Sequence, residues 1–256
     1  MDERPVSNHE QVIRVDTFIA TADDPIEDND HYKGLRIHSV KGLHEFVAGK
    51  ILENFPAGST VLDLGSGTGA MSLRLSDVGF RVTAADIVPE NFKLHGKIPF
   101  RNVNLNDTFS HSFDDRFKGI VAVEIIEHLE NPRMFLRECY KLLIPGGVFI
   151  MSTPNIDNPI SKASFVRDGT FQWYLDFDYE RQGHIMPISQ WLLRKCVEES
   201  GFDLLWKGSF GDPFASMRGW WKIRFFALLL RFVSKTDAGM NGEIMVLVLQ
   251  KPAGAE

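Results

Sequence analysis

The sequence predicts an α/β fold: a Rossmann-like, seven-stranded, mostly parallel sheet with helices on both faces and its last strand antiparallel. Three observations carry this expectation. Short apolar runs alternate with segments of helical period from residue 40 to residue 250. A glycine-rich loop, Gly65-Ser66-Gly67-Thr68-Gly69, stands between the first of these runs and the next helical segment. An aspartate, Asp86, closes the following strand about 20 residues further on.

Taken in order, residues 1–35 read as a polar N-terminal arm, acidic at Asp23, Asp24, Glu27, Asp28 and Asp30. Val40, Leu43, Val47 and Ile51 recur every three or four residues, which predicts an amphipathic helix over 40–54, stopped by Pro56 and Gly58. Residues 60–64 (TVLDL) form a short apolar strand, 70–76 a helix and 81–87 the next strand. Strands follow near 100–104, 119–124 and 147–153, with a helix over 132–143. A polar, aromatic insertion then runs from about 155 to 187, before a helix over 188–200 closed by Gly201. Residues 202–210 and 242–250 are the last strands, separated by a second insertion at about 211–240. Residues 36–256 therefore read as a single domain with two insertions.

Composition narrows the function. A hydrophobic content of 44% with 24% charged residues is that of an ordinary globular protein. The net charge of −6 leaves no broad cationic surface for phosphate contacts, so no nucleic-acid partner is expected. Cys139 and Cys196 both fall in apolar helical patterns and read as reduced core thiols, which points to the cytoplasm. The opening MDERPVSNHEQ has no apolar signal-peptide core, and no run of about 18 apolar residues is present to span a bilayer.

The run from Asp63 to Gly69 carries the strongest chemical signal. Its glycines allow a sharp turn and a close approach of backbone to ligand. The spacing is G-x-G-x-G, unlike the G-x-G-x-x-G of dinucleotide-binding loops, and a carboxylate stands two residues before the first glycine. Asp63 would repel a pyrophosphate and suits a cationic group, while Asp86 is placed to accept the two hydroxyls of a ribose. The plainer alternative is a tight turn with a capping acid.

These residues bring a family into view. VLDLGSGTGAMSLRLSDVGFRVTAADI resembles the first two motifs of the class I S-adenosylmethionine methyltransferases, and IVAVEIIEHLENP and LLIPGGVFIMSTPN resemble their later strand motifs. The likeness covers roughly residues 36–210 and is closest to the branch of ubiquinone-biosynthesis O-methyltransferases. It implies S-adenosylmethionine as cofactor, held by Lys41, Asp63, Gly65, Ser66, Gly67, Gly69, Asp86, Ile87, Asn104, Leu105 and Val123. Two departures stand out: Asn104 replaces the acid of many relatives, and the stretch between Asp86 and Phe100 is short for a full helix.

A second constellation is Glu124-Ile125-Ile126-Glu127-His128, which follows a strand at the edge where open α/β sheets place ligands. In a helical turn, Glu124, Glu127 and His128 would share one face. The resemblance implies a metal role for this pattern, and its oxygen ligands favour Mg²⁺ or a similar hard cation. In the alternative, Glu124 backs the methionine end of the cofactor and His128 caps the turn. Resemblance also makes His184, in Gly183-His184-Ile185, the first choice for catalytic base or fourth ligand, with His128 as the other catalytic histidine; otherwise His184 anchors the insertion. His31, His38 and His44 carry no spacing signal and read as surface or packing residues.

The acceptor should be selected by the insertions. Phe165, Phe171, Trp173, Tyr174 and Phe177 line an apolar pocket or form a satellite core. Residues 217–235, MRGWWKIRFFALLLRFVSK, set Trp220, Trp221, Phe225, Phe226 and Phe232 beside Arg218, Lys222, Arg224, Arg231 and Lys235. Such a helix can lie peripherally in a membrane interface, close as a lid or join a dimer. The reaction expected is methyl transfer, most simply to a hydroxyl of a hydrophobic small molecule or of a lipid-linked or saccharide acceptor. The rivals are an N- or C-methyltransferase and a non-catalytic cofactor-binding partner subunit. No feature of the sequence reports the oligomeric state.

Overall fold

The computed structural model describes residues 31–216, 221–233 and 238–254. The arm as far as residue 30 lies outside these, as do Arg218, Trp220 and Lys235 of the basic aromatic segment. The chain enters through a small antiparallel ribbon, β1 (His31–Tyr32) and β2 (Leu35–Arg36), where the end of the polar arm was expected.

Seven strands then build one sheet: β3 (Thr60–Leu64), β4 (Arg81–Asp86), β5 (Phe100–Asn102), β6 (Phe117–Ala122), β7 (Leu143–Pro154), β8 (Asp203–Phe210) and β9 (Ile244–Gln250). Their order is β5-β4-β3-β6-β7-β9-β8. The pairs β3–β4, β4–β5, β3–β6 and β6–β7 are parallel, and β9 runs antiparallel to β7 on one side and β8 on the other. Chain order runs outward through β4 and β5 on one side of β3 and through β6 and β7 on the other. A crevice therefore opens between the carboxyl ends of β3 and β6, where open α/β sheets bind ligands.

The helices are α1 (Leu43–Asn54), α2 (Ala70–Asp77), α3 (Pro132–Leu142), α4 (Pro159–Asp168), α5 (Gln190–Glu199), α6 (Pro213–Ser216) and α7 (Trp221–Val233). Side-chain alternation in the strands divides the core between them. Val61, Val121, Val148 and Ile150 pack on Leu43, Val47 and Ile51 of α1 and on Met71 and Leu75 of α2. Leu62, Leu64, Ile120, Phe149 and Met151 pack on Phe135, Leu136 and Cys139 of α3 and on Leu193 and Cys196 of α5. Strands buried on both faces need apolar residues at every position, which is why TVLDL and IMVLVLQ read as continuous runs. Both cysteines are buried free thiols. A smaller cluster, Ile160, Ala163, Ile223 and Ala227, joins α4 to α7.

Three differences from the sequence expectation have local causes. The first helix begins at Leu43 rather than at residue 40, because Gly42 before it is left-handed, at φ 83°. As the short stretch between Asp86 and Phe100 indicated, no full helix crosses from β4 to β5: a 3₁₀ turn at Pro89–Asn91 serves, and Phe92 stacks on Phe100 at 4.8 Å. The first insertion holds a helix, α4, started by the Asn158 side chain accepting from Ser161 N–H and by Pro159 at its first position. The expected helical turn after β6 is broken at Glu124, whose φ is +56°, and resumes only as a 3₁₀ turn over Ile126–His128.

Glu138 on α3 is a charge held inside the fold. It is 1% exposed, and Oε2 accepts from Phe109 N–H at 2.9 Å and Ser110 N–H at 2.8 Å, while Lys141 Nζ lies 2.6 Å from Oε1. Burial works to raise this carboxyl, but Lys141 and the N–H of Ser110 outweigh it and hold the pKa down at about 2. The folded value lies below the ordinary 4.5, so the charge stabilises fully above pH 4.5, and that contribution is lost as pH falls towards about 2. Glu138→Gln should therefore lower stability at pH 7 by about 1–3 kcal/mol in urea denaturation. The gap from wild type should narrow below pH 4.5; a gap of constant size at pH 3 would count against this account.

Candidate active site

The glycine loop leaves β3 at the crevice and is pinned to the end of β4. Gly65 N–H and Ser66 N–H both donate to Ala85 O, at 2.8 and 3.0 Å, and Gly67 N–H donates to Asp86 Oδ2 at 2.8 Å. Two glycines are required by space as well as by conformation. Gly65 has φ 71° and a Cβ there would strike the Ile125 side chain; Gly69 has φ 92° and a Cβ would lie 2.8 Å from the Phe92 ring. Asp86 Oδ1 also accepts from Val88 N–H. Burial raises the Asp86 carboxyl, against the pull of the Val88 and Gly67 amides.

Beside the loop lies a cavity of about 50 Å³, walled by Asp63, Ser66 and Val123 from the sheet side and by Arg36, Ser39 and His44 from the N-terminal side. Asp63 is 2% exposed and accepts from Ser72 Oγ. Burial pushes its carboxyl up to about 7; the Ser72 hydrogen bond opposes this and the charge of Asp86 adds to it. Burial holds the His44 imidazole down at about 3, helped by the charges of Arg74 and His38, so His44 is neutral. Ser39 Oγ, His44 Nδ1 and Ser66 Oγ are buried without a hydrogen-bond partner among the described residues. A larger hollow of about 510 Å³ opens beside Thr60, Arg81 and Phe117, at the opposite edge of the sheet.

The second group gathers at the carboxyl ends of β6 and β7. Glu127 is fully buried; Thr153 Oγ1 donates to its Oε2 at 3.0 Å, and Oε1 has no partner among the described residues. The Glu127 carbonyl accepts from the N–H groups of Ile185 and Met186, which fastens the segment carrying His184 over the turn. His128 Nδ1 faces Gly183 O at 3.1 Å and His184 Nδ1 faces Trp173 O at 2.7 Å. A carbonyl only accepts, so both Nδ1 atoms carry the proton and both Nε2 atoms keep their lone pair. The rings lie 5.0 Å apart, and among the described residues Glu127, His128 and His184 each offer a ligand atom within 4.8 Å of the other two.

Burial governs the charges here. It pushes Glu127 well above the usual carboxylate range, with the Glu124 charge adding to it. It also lowers His128 to about 4, assisted by His184, and it lowers His184 against the Trp173 carbonyl and Asp178. Burial thus favours the uncharged form of all three groups, with lone pairs on two imidazoles.

The expected residues divide. Asp63, Gly65, Ser66, Gly67 and Val123 come together around the cavity, and Gly69 and Asp86 frame the loop. Lys41 is exposed, and the N-terminal cation on the cavity wall is Arg36. The Asn104 side chain is engaged in its own turn with Asp107 and Asn106, and Leu105 packs into the core; Ile87 meets Asn102 through its carbonyl. Glu124 is corrected out of the ligand trio. Its left-handed backbone turns the carboxyl to Ser152 Oγ at 2.8 Å, and burial, opposed by that bond and helped by Glu243, raises it to about 8. The aromatic insertion is no single pocket: Tyr174 is buried 5.7 Å from the His184 ring, whereas Phe165 and Phe177 are exposed. Residues that sequence reasoning missed are Arg36, Ser39, His44 and Thr153. Only Thr153 had a readable signal, a polar residue at the carboxyl end of a buried strand.

The chain matches a methyltransferase domain family over residues 37–206. It is 35% identical over 107 residues to the ubiquinone biosynthesis O-methyltransferase of Xanthomonas oryzae, covering 39% of this chain and 44% of that protein. The protein of the same name from Cereibacter sphaeroides is 34% identical over 154 residues, which cover 57% of this chain and 61% of that one. The chain spans about half the length of the curated relatives it matches. A solved S-adenosylmethionine-dependent methyltransferase from Archaeoglobus fulgidus shares the fold, with a TM-score of 0.57 at 19% identity over 81% of this chain and 94% of that one. With the glycine loop, the aspartate that ends β4 and the strand order already described, this chain belongs to the class I S-adenosylmethionine-dependent methyltransferases.

Proposed function

We propose that this chain methylates a hydroxyl group of a hydrophobic small molecule, lipid-linked or saccharide, with S-adenosylmethionine as donor. The observation that carries the proposal is the trio of Glu127 and His184, both buried, and the half-buried His128, which brings two proton-accepting imidazole nitrogens and a carboxyl together at the carboxyl edge of the sheet. The two relatives named above carry O-methyltransferase in their names. Residues 36–256 act in this reading as one domain, working in the cytoplasm or at the inner face of a membrane.

The cavity fits the amino-acid end of the cofactor. Each buried polar atom left unpaired costs about 1–3 kcal/mol, which a matching ligand recovers. Ser39, His44 and Ser66 offer three such atoms, between the cation Arg36 and the carboxyl of Asp63. That set complements a carboxylate and an ammonium, and Asp86 complements ribose hydroxyls. S-adenosylmethionine supplies a methyl group on a sulfonium, already a good leaving group.

What remains for the chain is to place the acceptor in line and to remove its proton, and placement alone can lower a barrier by about 7–11 kcal/mol. His184 is placed as the base: Trp173 O fixes its tautomer, and burial keeps it neutral at physiological pH. His128 and Glu127 position the hydroxyl beside it.

A divalent cation is the second reading, favoured by the convergence of three ligand atoms. With Glu124 turned away, the set is two imidazole nitrogens and one carboxylate oxygen, a borderline donor set that suits Mn²⁺, Fe²⁺ or Zn²⁺ better than the Mg²⁺ expected from an oxygen-rich set. Such an ion would supply positive charge to acidify the acceptor hydroxyl.

Two experiments test the proposal. In calorimetry, Asp86→Ala and Arg36→Gln should each weaken cofactor binding at least about tenfold, or roughly 1.4 kcal/mol, while Lys41→Ala leaves it unchanged. A loss at Lys41 equal to that at Arg36 would overturn the cavity assignment. In the second, methyl-labelled cofactor is incubated with solvent extracts of cells, and label should enter an organic-soluble methyl ether as S-adenosylhomocysteine forms. His184→Ala should slow this by about 10²–10⁴-fold with cofactor affinity retained. Exhaustive chelation separates the two readings: undiminished activity leaves His184 as a lone base, and loss restored by Mn²⁺ selects the cation. Label confined to N-methyl products would sink the hydroxyl assignment, and no homocysteine product at all would favour a non-catalytic subunit.

A further inference from the structure

We infer that α7 is a docking surface for an anionic lipid bilayer, set at the same edge of the molecule as the active site. The helix is apolar on two sides. Ile223 and Ala227 on its inner side are buried against Ile160 and Ala163 of α4, with Leu230 and Phe214 closing the cluster. Among the described residues its outer side has no such cover: Trp221 is 70% exposed, Phe225 61% and Val233 79%, and Leu228 and Leu229 lie in the open between them. On a helix turning about 100° per residue these five fall within one broad stripe. A contiguous apolar surface of this kind on a folded protein marks a contact site.

Charge identifies the occupant. The stretch 213–236 contains five basic residues, Arg218, Lys222, Arg224, Arg231 and Lys235, and no acidic one, in a chain whose net charge is −6. Lys222 and Arg231 are exposed on α7 itself, whereas Arg224 is drawn inward, donating to Phe214 O at 2.7 Å. An exposed apolar face with Lys222 within it and Arg231 beyond its margin, on an otherwise acidic protein, complements a surface of acyl chains beneath anionic headgroups. Thirteen residues of helix extend about 20 Å, too short for the roughly 30 Å hydrocarbon core, and among the described residues no helix is long and apolar enough to cross a membrane. The helix therefore lies on the bilayer.

Topology gives the docking a purpose. The second insertion leaves from the end of β8 and returns at the start of β9, where Phe210 and Ile244 pair with each other and Ile244 pairs with Pro154 at the end of β7. Thr153, which holds Glu127, is the next residue back along β7. The insertion thus rises from the edge that bears the catalytic cluster, and α4, which follows β7, is its seat. Docking deepens the lipid-linked reading of the acceptor, yet vesicle binding and methyl transfer are read separately, so either can fail alone.

The test uses the full chain with vesicles of phosphatidylcholine alone and of phosphatidylcholine with phosphatidylglycerol. The protein should sediment with the anionic vesicles at low salt, at least about tenfold less with the neutral ones, and less again at high salt, where exposed charges are screened. Trp221→Ser, Phe225→Ser and Leu229→Ser combined should abolish sedimentation. Lys222→Glu with Arg231→Glu should weaken it at least about tenfold while leaving the apolar stripe intact. Unchanged cofactor affinity shows that both variants are folded. Failure of the wild type to sediment with anionic vesicles at low salt would overturn the inference, as would full binding by the serine variant. So would a dimer that the serine variant dissociates while no vesicle binding is seen, because the stripe would then be a contact between two copies.

Discussion

The active edge depends on the attachment of the glycine loop to the end of β4. Three successive amides, of Gly65, Ser66 and Gly67, are spent on Ala85 O and Asp86 Oδ2. This fixes a backbone that only left-handed residues can follow, with Gly65 wedged on Ile125 and Gly69 on Phe92. The contacts run from β3 to β4 on one side and to the segment after β6 on the other, so one loop sets the spacing of three strand ends. The cavity beside it, and the entry of α1 and α2, follow from that spacing. Asp86 is both a structural acceptor and the group expected to face ribose, which couples the shape of the loop to the chemistry it serves.

Much of this was legible in the sequence. Buried strands reveal themselves as runs such as TVLDL, and the order of motifs indicated a parallel sheet with an antiparallel last strand, as found. The glycine spacing and Asp86 fall where they were expected because local backbone chemistry dictates them. Contacts set by the tertiary fold were not legible. His44 carries no spacing signal, and its role on the cavity wall arises because α1 lays it against the loop. Arg36 rather than Lys41 reaches the wall because Gly42 delays the start of the helix.

Glu124 is the most informative miss. A pattern Glu-x-x-Glu-His on a regular helical turn would place both carboxylates and the imidazole on one face. The chain instead adopts a positive φ at Glu124, a non-glycine conformation that structures keep only where surrounding contacts hold it. Here Ser152 Oγ does so, bonding both the amide and the carboxyl of Glu124. No single-sequence pattern reports such a clamp, because its partner comes from another strand 28 residues away. The place left in the trio is taken by His184, brought in by two amides that donate to the Glu127 carbonyl.

The packing of the cluster away from water has a chemical consequence. A charged base in a dry site would have to be desolvated at a cost of several kcal/mol and would then favour an acceptor of opposite charge. By packing Glu127, His128 and His184 together away from water, the fold favours the uncharged form of each group. In the proposed reading, an uncharged acceptor enters such a site without losing strong solvation. The same logic accounts for the two surfaces of the active edge. In the proposed reading the cofactor side is polar, with Arg36 and Asp63 on the cavity wall, while the acceptor side lies where Tyr174 packs by the His184 ring. Methyl transfer then depends on bringing a charged ligand and an uncharged one to a common line, and the crevice between β3 and β6 is where these two environments meet.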